Sequence, residues 1–235
     1  MSLLLIIGII LGLSVFVGYK KGLVKITASL LTTVIIIILV SLLTPYVSKW
    51  IRKTTSLEKN MQEKVVSMLV PEEEAELDEK IEENQLSRNE QIAILEKAPL
   101  PQMFRQMLVE NNNNEVYQLL GVQTFAEYVG SYLAKLVADI IAFLIVFVVV
   151  TVVVRIAMKM LGILNKLPVI GGVHRLAGAL VGVGIGIVIV WILFIVVTLL
   201  YDTTFGKMCF ETIESTPILR KLYDSNILMN SVIKF

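Results

Sequence analysis

Between Leu167 and Ile189 the chain reads Leu-Pro-Val-Ile-Gly-Gly-Val-His-Arg-Leu-Ala-Gly-Ala-Leu-Val-Gly-Val-Gly-Ile-Gly-Ile-Val-Ile, and few folds accept that order. A Pro/Gly/Gly break and a His-Arg pair lead into an apolar run in which Gly178, Gly182 and Gly186 recur every fourth residue. On a helix that spacing stacks them along one face. So many glycines weaken a helix in water. In a bilayer the same face lets a second backbone approach closely, and packing rather than hydrophobicity then holds the helices together. The feature points to an integral membrane protein with a tight helix contact.

Composition agrees. Hydrophobic residues make up 56% of the chain and charged residues 17%, with mean hydropathy +0.78, more apolar and less charged than an average soluble domain. One cysteine, Cys209, and one histidine, His174, leave no material for an intrachain disulfide or a His/Cys metal centre. No basic stripe supports nucleic-acid binding, and no cofactor motif is present.

Four segments have the length and apolarity of membrane helices: Leu3 to Val17, Ile26 to Leu43, Leu136 to Val154 and Leu176 to Leu200. The first is short for a hydrocarbon core of roughly 30 Å, and without a basic residue before it or a small-residue cleavage site after it we read it as a retained anchor rather than a signal peptide. The short loops set the direction. Lys20, Lys21 and Lys25 lie between the first two spans, and Arg155, Lys159, Lys166 and Arg175 between the last two, with no acid in either loop. The positive-inside rule places both loops in the cytoplasm, so both termini and residues 44–132 are expected on the extracytoplasmic side. That outer region carries nine Lys/Arg against fifteen Asp/Glu, a net of −6. Lys49, Arg52 and Lys53 beside the second span run against the rule, which long loops tolerate.

The expected fold is therefore all-α: four transmembrane helices, with a helical extracytoplasmic insertion between helices 2 and 3 and a short helical tail. Residues 1–43 hold the first two spans, 44–132 the insertion, 133–200 the last two spans with their basic loop, and 201–235 the tail. Within the insertion, Leu57, Met61, Val65, Met68 and Leu69 recur at helical spacing, and Pro71-Glu72-Glu73-Glu74 resembles a helix start. Leu77, Ile81, Ile92 and Leu95 continue the stripe, Pro99-Leu100-Pro101 breaks it, and Met103, Phe104, Met107 and Leu108 give another short helix before the polar loop Asn111 to Asn114. The acidic run Glu72 to Glu83 lacks the alternating ligands and central glycine of a calcium loop and reads as a solvated face. In the tail, Ile218, Leu219, Leu222, Tyr223, Ile227 and Leu228 predict short amphipathic helices on the outer surface.

Two motifs resemble a known family. Gly18-Tyr19-Lys20-Lys21-Gly22 after the first span is similar to the Gly-x-x-x-Gly turn of the colicin V production protein (CvpA) family. Pro168, Gly171, Gly172 and Arg175 ahead of Gly178 and Gly182 resemble its second signature, a Pro-x-Ile/Leu-Gly segment, a basic residue and a Gly-x-x-x-Gly helix. The acid that often opens the family's first helix is missing from Ser2-Leu3-Leu4-Leu5, and the long outer region resembles the enlarged version of some Gram-positive bacteria. The resemblance implies a multi-pass protein of the bacterial plasma membrane, linked to colicin V production or export and to the envelope.

Candidate residues follow from the spans. Gly8 and Gly12 form a second small-residue face, expected to meet Gly178, Gly182 and Gly186 within one chain or across a homo-oligomer. Asp139, with Lys135 one turn earlier, is a proton or ion relay on one reading. On the reading we favour it is an interfacial i,i+4 pair with both heads at the outer headgroups. Arg175 suits lipid phosphate at the cytoplasmic face. No nucleophile–base pair, phosphate loop or metal cluster is legible, so the expectation is a non-enzyme. It is an accessory protein whose partners are the bilayer and an envelope or secretion protein, with a small channel as the alternative.

Overall fold

The computed structural model describes residues 2–69, 86–160 and 172–232. Every regular element among them is helical. A helical run from Ser2 to Thr54 is interrupted at Gly22, giving α1 (Leu3–Leu23) and α2 (Lys25–Thr54). Then follow α3 (Leu57–Leu69), α4 (Arg88–Lys97), α5 (Gln102–Glu110), α6 (Asn114–Leu120), α7 (Phe125–Met160), α8 (Gly172–Leu199), α9 (Thr204–Ser215), α10 (Pro217–Asp224) and α11 (Ile227–Val232). Four of these, α1, α2, α7 and α8, are long and apolar enough to cross a bilayer.

The spans outrun the apolar segments that announced them. α2 continues through Pro45 to Thr54, and α7 starts at Phe125 rather than near Leu136. Hydropathy registers only the stretch that must sit in hydrocarbon, whereas a helix continues past it wherever its backbone stays satisfied. The loop expected around Lys20 and Lys21 is likewise helical, and the break contracts to Gly22, at φ 72° and ψ 167°. That region of backbone space is essentially closed to residues with a Cβ, so the second glycine of the first motif has a conformational reason. Along the spans, hydroxyls turn inward on their own helices: Thr32 donates to Ala28 O at 2.8 Å, Thr33 to Ser29 O at 2.9 Å and Thr198 to Phe194 O at 2.8 Å. No donor is then left bare toward lipid at these positions. Large apolar side chains such as Leu5, Leu13, Leu31, Leu42, Val148, Val153 and Leu180 remain exposed on the protein surface, the mark of a lipid-facing wall.

Contacts divide the chain into two compact units, Met1–Pro45 with Ile140–Phe235, and Tyr46–Asp139. In the first, the tail is helical but does not simply lie across the end of α8. The Trp191 indole N–H donates to Leu222 O at 3.1 Å, Asn226 Nδ2 donates to Trp191 O at 3.0 Å, and the Thr198 and Tyr223 hydroxyls share a hydrogen bond of 3.0 Å. Trp191 lies eight residues before the end of α8, so α10 and α11 descend about 12 Å alongside it. The correction to a surface-bound tail has a polar cause. Asn226 is fully buried and caps Met229 N with its other amide atom, and it finds these partners only against α8. Burial also pushes the Tyr223 phenol up to about 12. Gly206 permits the close turn from α8 into α9, because a Cβ there would overlap Leu200 O.

The second unit packs α3 to α6 and the first part of α7 around Leu95, Phe104, Leu108, Phe125, Tyr128, Tyr132 and Leu133, all fully or almost fully buried. Ser87 and Glu90 form a reciprocal capping box at the start of α4, and Asn113 caps α6 through Val116 N, each satisfying backbone donors that a helix start leaves free. Ile92 is half-buried and Leu95 buried on α4, while Phe104 and Leu108 on α5 turn inward, as their spacing predicts. The acidic run Glu72–Glu83, the Pro71 helix start with Leu77 and Ile81, and the short helix expected at Leu161–Leu167 lie outside the described residues.

Candidate functional site

The glycine ladder of α8 is in backbone contact with α1, but not through the residues expected. A Cβ on Gly178 would stand 2.5 Å from Gly18 O and 2.9 Å from Gly22 C. One on Gly182 would run into Ser14 O, and one on Gly186 would meet Ser14 Cβ at 3.0 Å. Ser14, Gly18 and Gly22 thus recur every fourth residue and oppose Gly186, Gly182 and Gly178 in antiparallel order. Gly8 and Gly12 have open space where a Cβ would go, as does Gly184, so within the chain the expected Gly8/Gly12 pairing is replaced. The reason is register. The contact is anchored at the Gly22 break, and α1 meets α8 beginning from that end, which brings Ser14 rather than Gly12 opposite the ladder.

In the Tyr46–Asp139 unit, Asp139 is held on both oxygens. Ser48 Oγ donates to Oδ1 in a short contact, and Lys135 Nζ donates to Oδ2 at 2.7 Å. The i,i+4 pair expected from sequence forms, but its heads do not reach outward. The Lys135 and Asp139 side chains retain only 12% and 9% of their exposure. A buried ion pair persists only with good geometry and further hydrogen bonds on its spare atoms, and Ser48 from α2 supplies one. Nothing in the local sequence of α7 announced Ser48, which lies ninety-one positions away.

The same unit contains a cavity of about 500 Å³ lined by Leu86, Arg88, Gln91, Asn112, Asn113, Asn114, Tyr117 and Gln123. Five of these eight are carboxamides. Asn112 Nδ2 donates to Gln91 Oε1 at 2.9 Å, and the Tyr117 hydroxyl donates to Asn112 Oδ1 at 3.1 Å. Tyr117 stacks on Tyr128 with ring centroids 4.8 Å apart, and burial pushes its phenol up to about 12. Beside the Arg88 guanidinium the arrangement presents neutral donors and acceptors and an aromatic edge, a chemistry for binding polar backbone or hydroxyl groups. Asn111 to Asn114 read as a bare polar loop in sequence. Folded, Asn111 caps α5 and bonds the Tyr132 hydroxyl, Asn112 is buried and Asn113 caps α6.

A further small-residue series went unread. A Cβ on Gly130 would lie 2.7 Å from Gln62 Cα, and Ser131 accepts from Gln62 Nε2 at 2.9 Å, so α3 crosses α7 at close range. Gly130, Ala134 and Ala138 are spaced every fourth residue and all are buried, a signal available in the sequence. Of the second motif, Gly172 opens α8 and Arg175 is exposed, while Pro168 and Gly171 lie outside the described residues.

The family model described as Colicin V production protein aligns with residues 116–222. That segment is a colicin V production protein domain. It runs from α6 into α10 and so includes Lys135, Asp139, Gly178, Gly182 and Gly186. It leaves Gly18 and Gly22 outside, although both lie against the glycine ladder of α8. Comparison with curated proteins and with solved structures gives no match. Family match and fold agree on a membrane protein that carries a colicin V production type segment at residues 116–222.

Proposed function

We propose that this protein is a non-catalytic accessory protein of the bacterial plasma membrane that offers the Tyr46–Asp139 unit to an envelope or secretion partner. The observation that carries this reading is that unit's own buried aromatic core together with its amide-lined cavity. The link to toxin production or export comes from the family description. On this reading both termini and residues 44–132 are extracytoplasmic, which the positive-inside rule supports from the acid-free basic loops.

Site-specific labelling checks the sidedness. Glu115 and Met160 are exposed, and the native Cys209 is buried with its thiol pushed above the usual range by that burial, so a membrane-impermeant maleimide reports introduced cysteines over a slow background. Applied to intact cells, it will label Glu115→Cys and spare Met160→Cys; the opposite pattern inverts the topology.

Partner binding is tested by in-cell crosslinking and capture of the tagged full chain. Two comparisons are needed: a form lacking residues 57–123, and the full chain with Arg88→Ala and Asn114→Ala in the cavity. A discrete envelope protein lost in both variants is the expected result. Loss only in the deletion moves docking to another face of the unit. Self-crosslinked products alone in all three forms overturn the accessory reading in favour of an oligomeric transport component.

A further inference from the structure

Residues 1–57 and 140–201 contain ten Lys/Arg and not one Asp or Glu. Four of these cations, Lys21 at the end of α1, Lys25 on α2, and Arg155 and Lys159 on α7, line one cavity of about 590 Å³ between α2 and α7. Among the described residues none of the four is seen in an ion pair with a carboxylate, and four like charges around one space repel one another. The natural neutralising group comes from outside the chain.

The rest of the lining specifies what kind of group. Down α2 the wall passes from Lys25 through Ser29, Thr32 and Thr33 to the buried Ile36. These positions share one helix face. From Lys25 to Ile36 the drop is about 16 Å, close to half the roughly 30 Å hydrocarbon thickness. On α7, Arg155 and Lys159 stand at the charged end, with Met158 between them in sequence. The slot is therefore cationic at one end, hydroxylic in the middle and apolar at the depth of one leaflet. Free phosphate uses only the first of these zones. A phospholipid matches all three, its phosphate at the cations, its glycerol and ester region beside the polar stretch of Ser29, Thr32 and Thr33, and its acyl chain against Ile36.

We infer that the cavity between α2 and α7 is a binding site for an anionic phospholipid, taken from the leaflet that faces the basic loops. Basic pockets between spans on that side of a membrane are suited to such headgroups, and the volume is in the range of a formed ligand site. With four cations the site favours a headgroup carrying two phosphates over one. Lipid bound here ties α2 to α7 at the end where no side-chain ion pair does so among the described residues.

Native mass spectrometry of the full chain, released from nanodiscs of phosphatidylcholine with or without cardiolipin, tests this. Wild type retains one or more cardiolipins. Lys25→Gln with Arg155→Gln retains them about tenfold less well or worse, while Lys20→Gln with Lys53→Gln, which removes equal charge at exposed positions outside the cavity, stays near wild type. Equal loss in the two pairs, or none in the first, overturns the site in favour of general surface attraction. Displacement of the lipid by inorganic phosphate at equal concentration overturns the lipid assignment and makes the site one for free phosphate. Melting in phosphatidylcholine alone guards against misfolding: if the Lys25/Arg155 pair melts early, Thr33→Phe, which fills the slot with every cation in place, takes its place, and unchanged cardiolipin retention in that variant overturns the proposal.

Discussion

Gly182→Leu will cost this protein about 3 kcal/mol or more, read as a fall of roughly 10 °C in melting temperature in a detergent or nanodisc sample. The Cβ alone runs into Ser14 O, a backbone atom that no rotamer change moves aside. Relief requires α1 to part from α8, and in a bilayer no hydrophobic force offsets the lost packing. Gly178→Leu strikes Gly18 O in the same way and will behave alike. Gly8→Leu and Gly12→Leu are the controls, because both positions open on space within the chain, and they will melt with wild type. A Gly182→Leu protein that melts with wild type means the α1–α8 contact is absent from the folded state. Loss of a dimer band in Gly12→Leu without loss of thermal stability would instead assign the first small-residue face to self-association.

The difference between the two glycine faces shows what the sequence carried and what it did not. A four-residue recurrence of small side chains is visible in any helix, so Gly178, Gly182 and Gly186 were identifiable as a packing face. Which face answers it depends on register, and register is set by the Gly22 break, a backbone angle with no compositional signature beyond the glycine itself. Ser14 escaped because a serine flanked by Leu13 and Val15 reads as one tolerated polar residue and not as the small end of a ladder. The spans were legible because apolarity over such lengths has few other uses. Their true ends were not, since α2 and α7 continue into polar sequence where helix and loop compositions overlap. The tail shows the same limit. Its amphipathic spacing predicted helices, but the descent along α8 depends on Asn226 meeting Trp191 O, a pairing thirty-five residues apart.

Replacing Asp139 separates a clamp from a conduit. Asp139→Ala removes one side of the buried Lys135–Asp139 pair and the acceptor of Ser48, and breaking a buried pair from one side costs about 3–5 kcal/mol. Thermal melting will show a loss comparable to that of Gly182→Leu. Removing both charges while filling the volume, as in Lys135→Met with Asp139→Leu, restores most of the stability, because well-packed apolar side chains often equal or exceed a buried ion pair. Ser48→Ala alone is milder, at about 1.5–3 kcal/mol for a hydrogen bond to a charged group. The order expected on melting is therefore wild type and the double variant together, Ser48→Ala below them, and Asp139→Ala lowest. A relay predicts a different pattern: stability partly spared, and a protein-dependent bilayer conductance abolished by the double variant as completely as by Asp139→Asn. The geometry favours the clamp, since both carboxylate oxygens already have partners at hydrogen-bonding distance and the side chain retains 9% of its exposure. A group so engaged joins α2 to the N-terminal part of α7 within the Tyr46–Asp139 unit, where a lost partner is felt as lost structure.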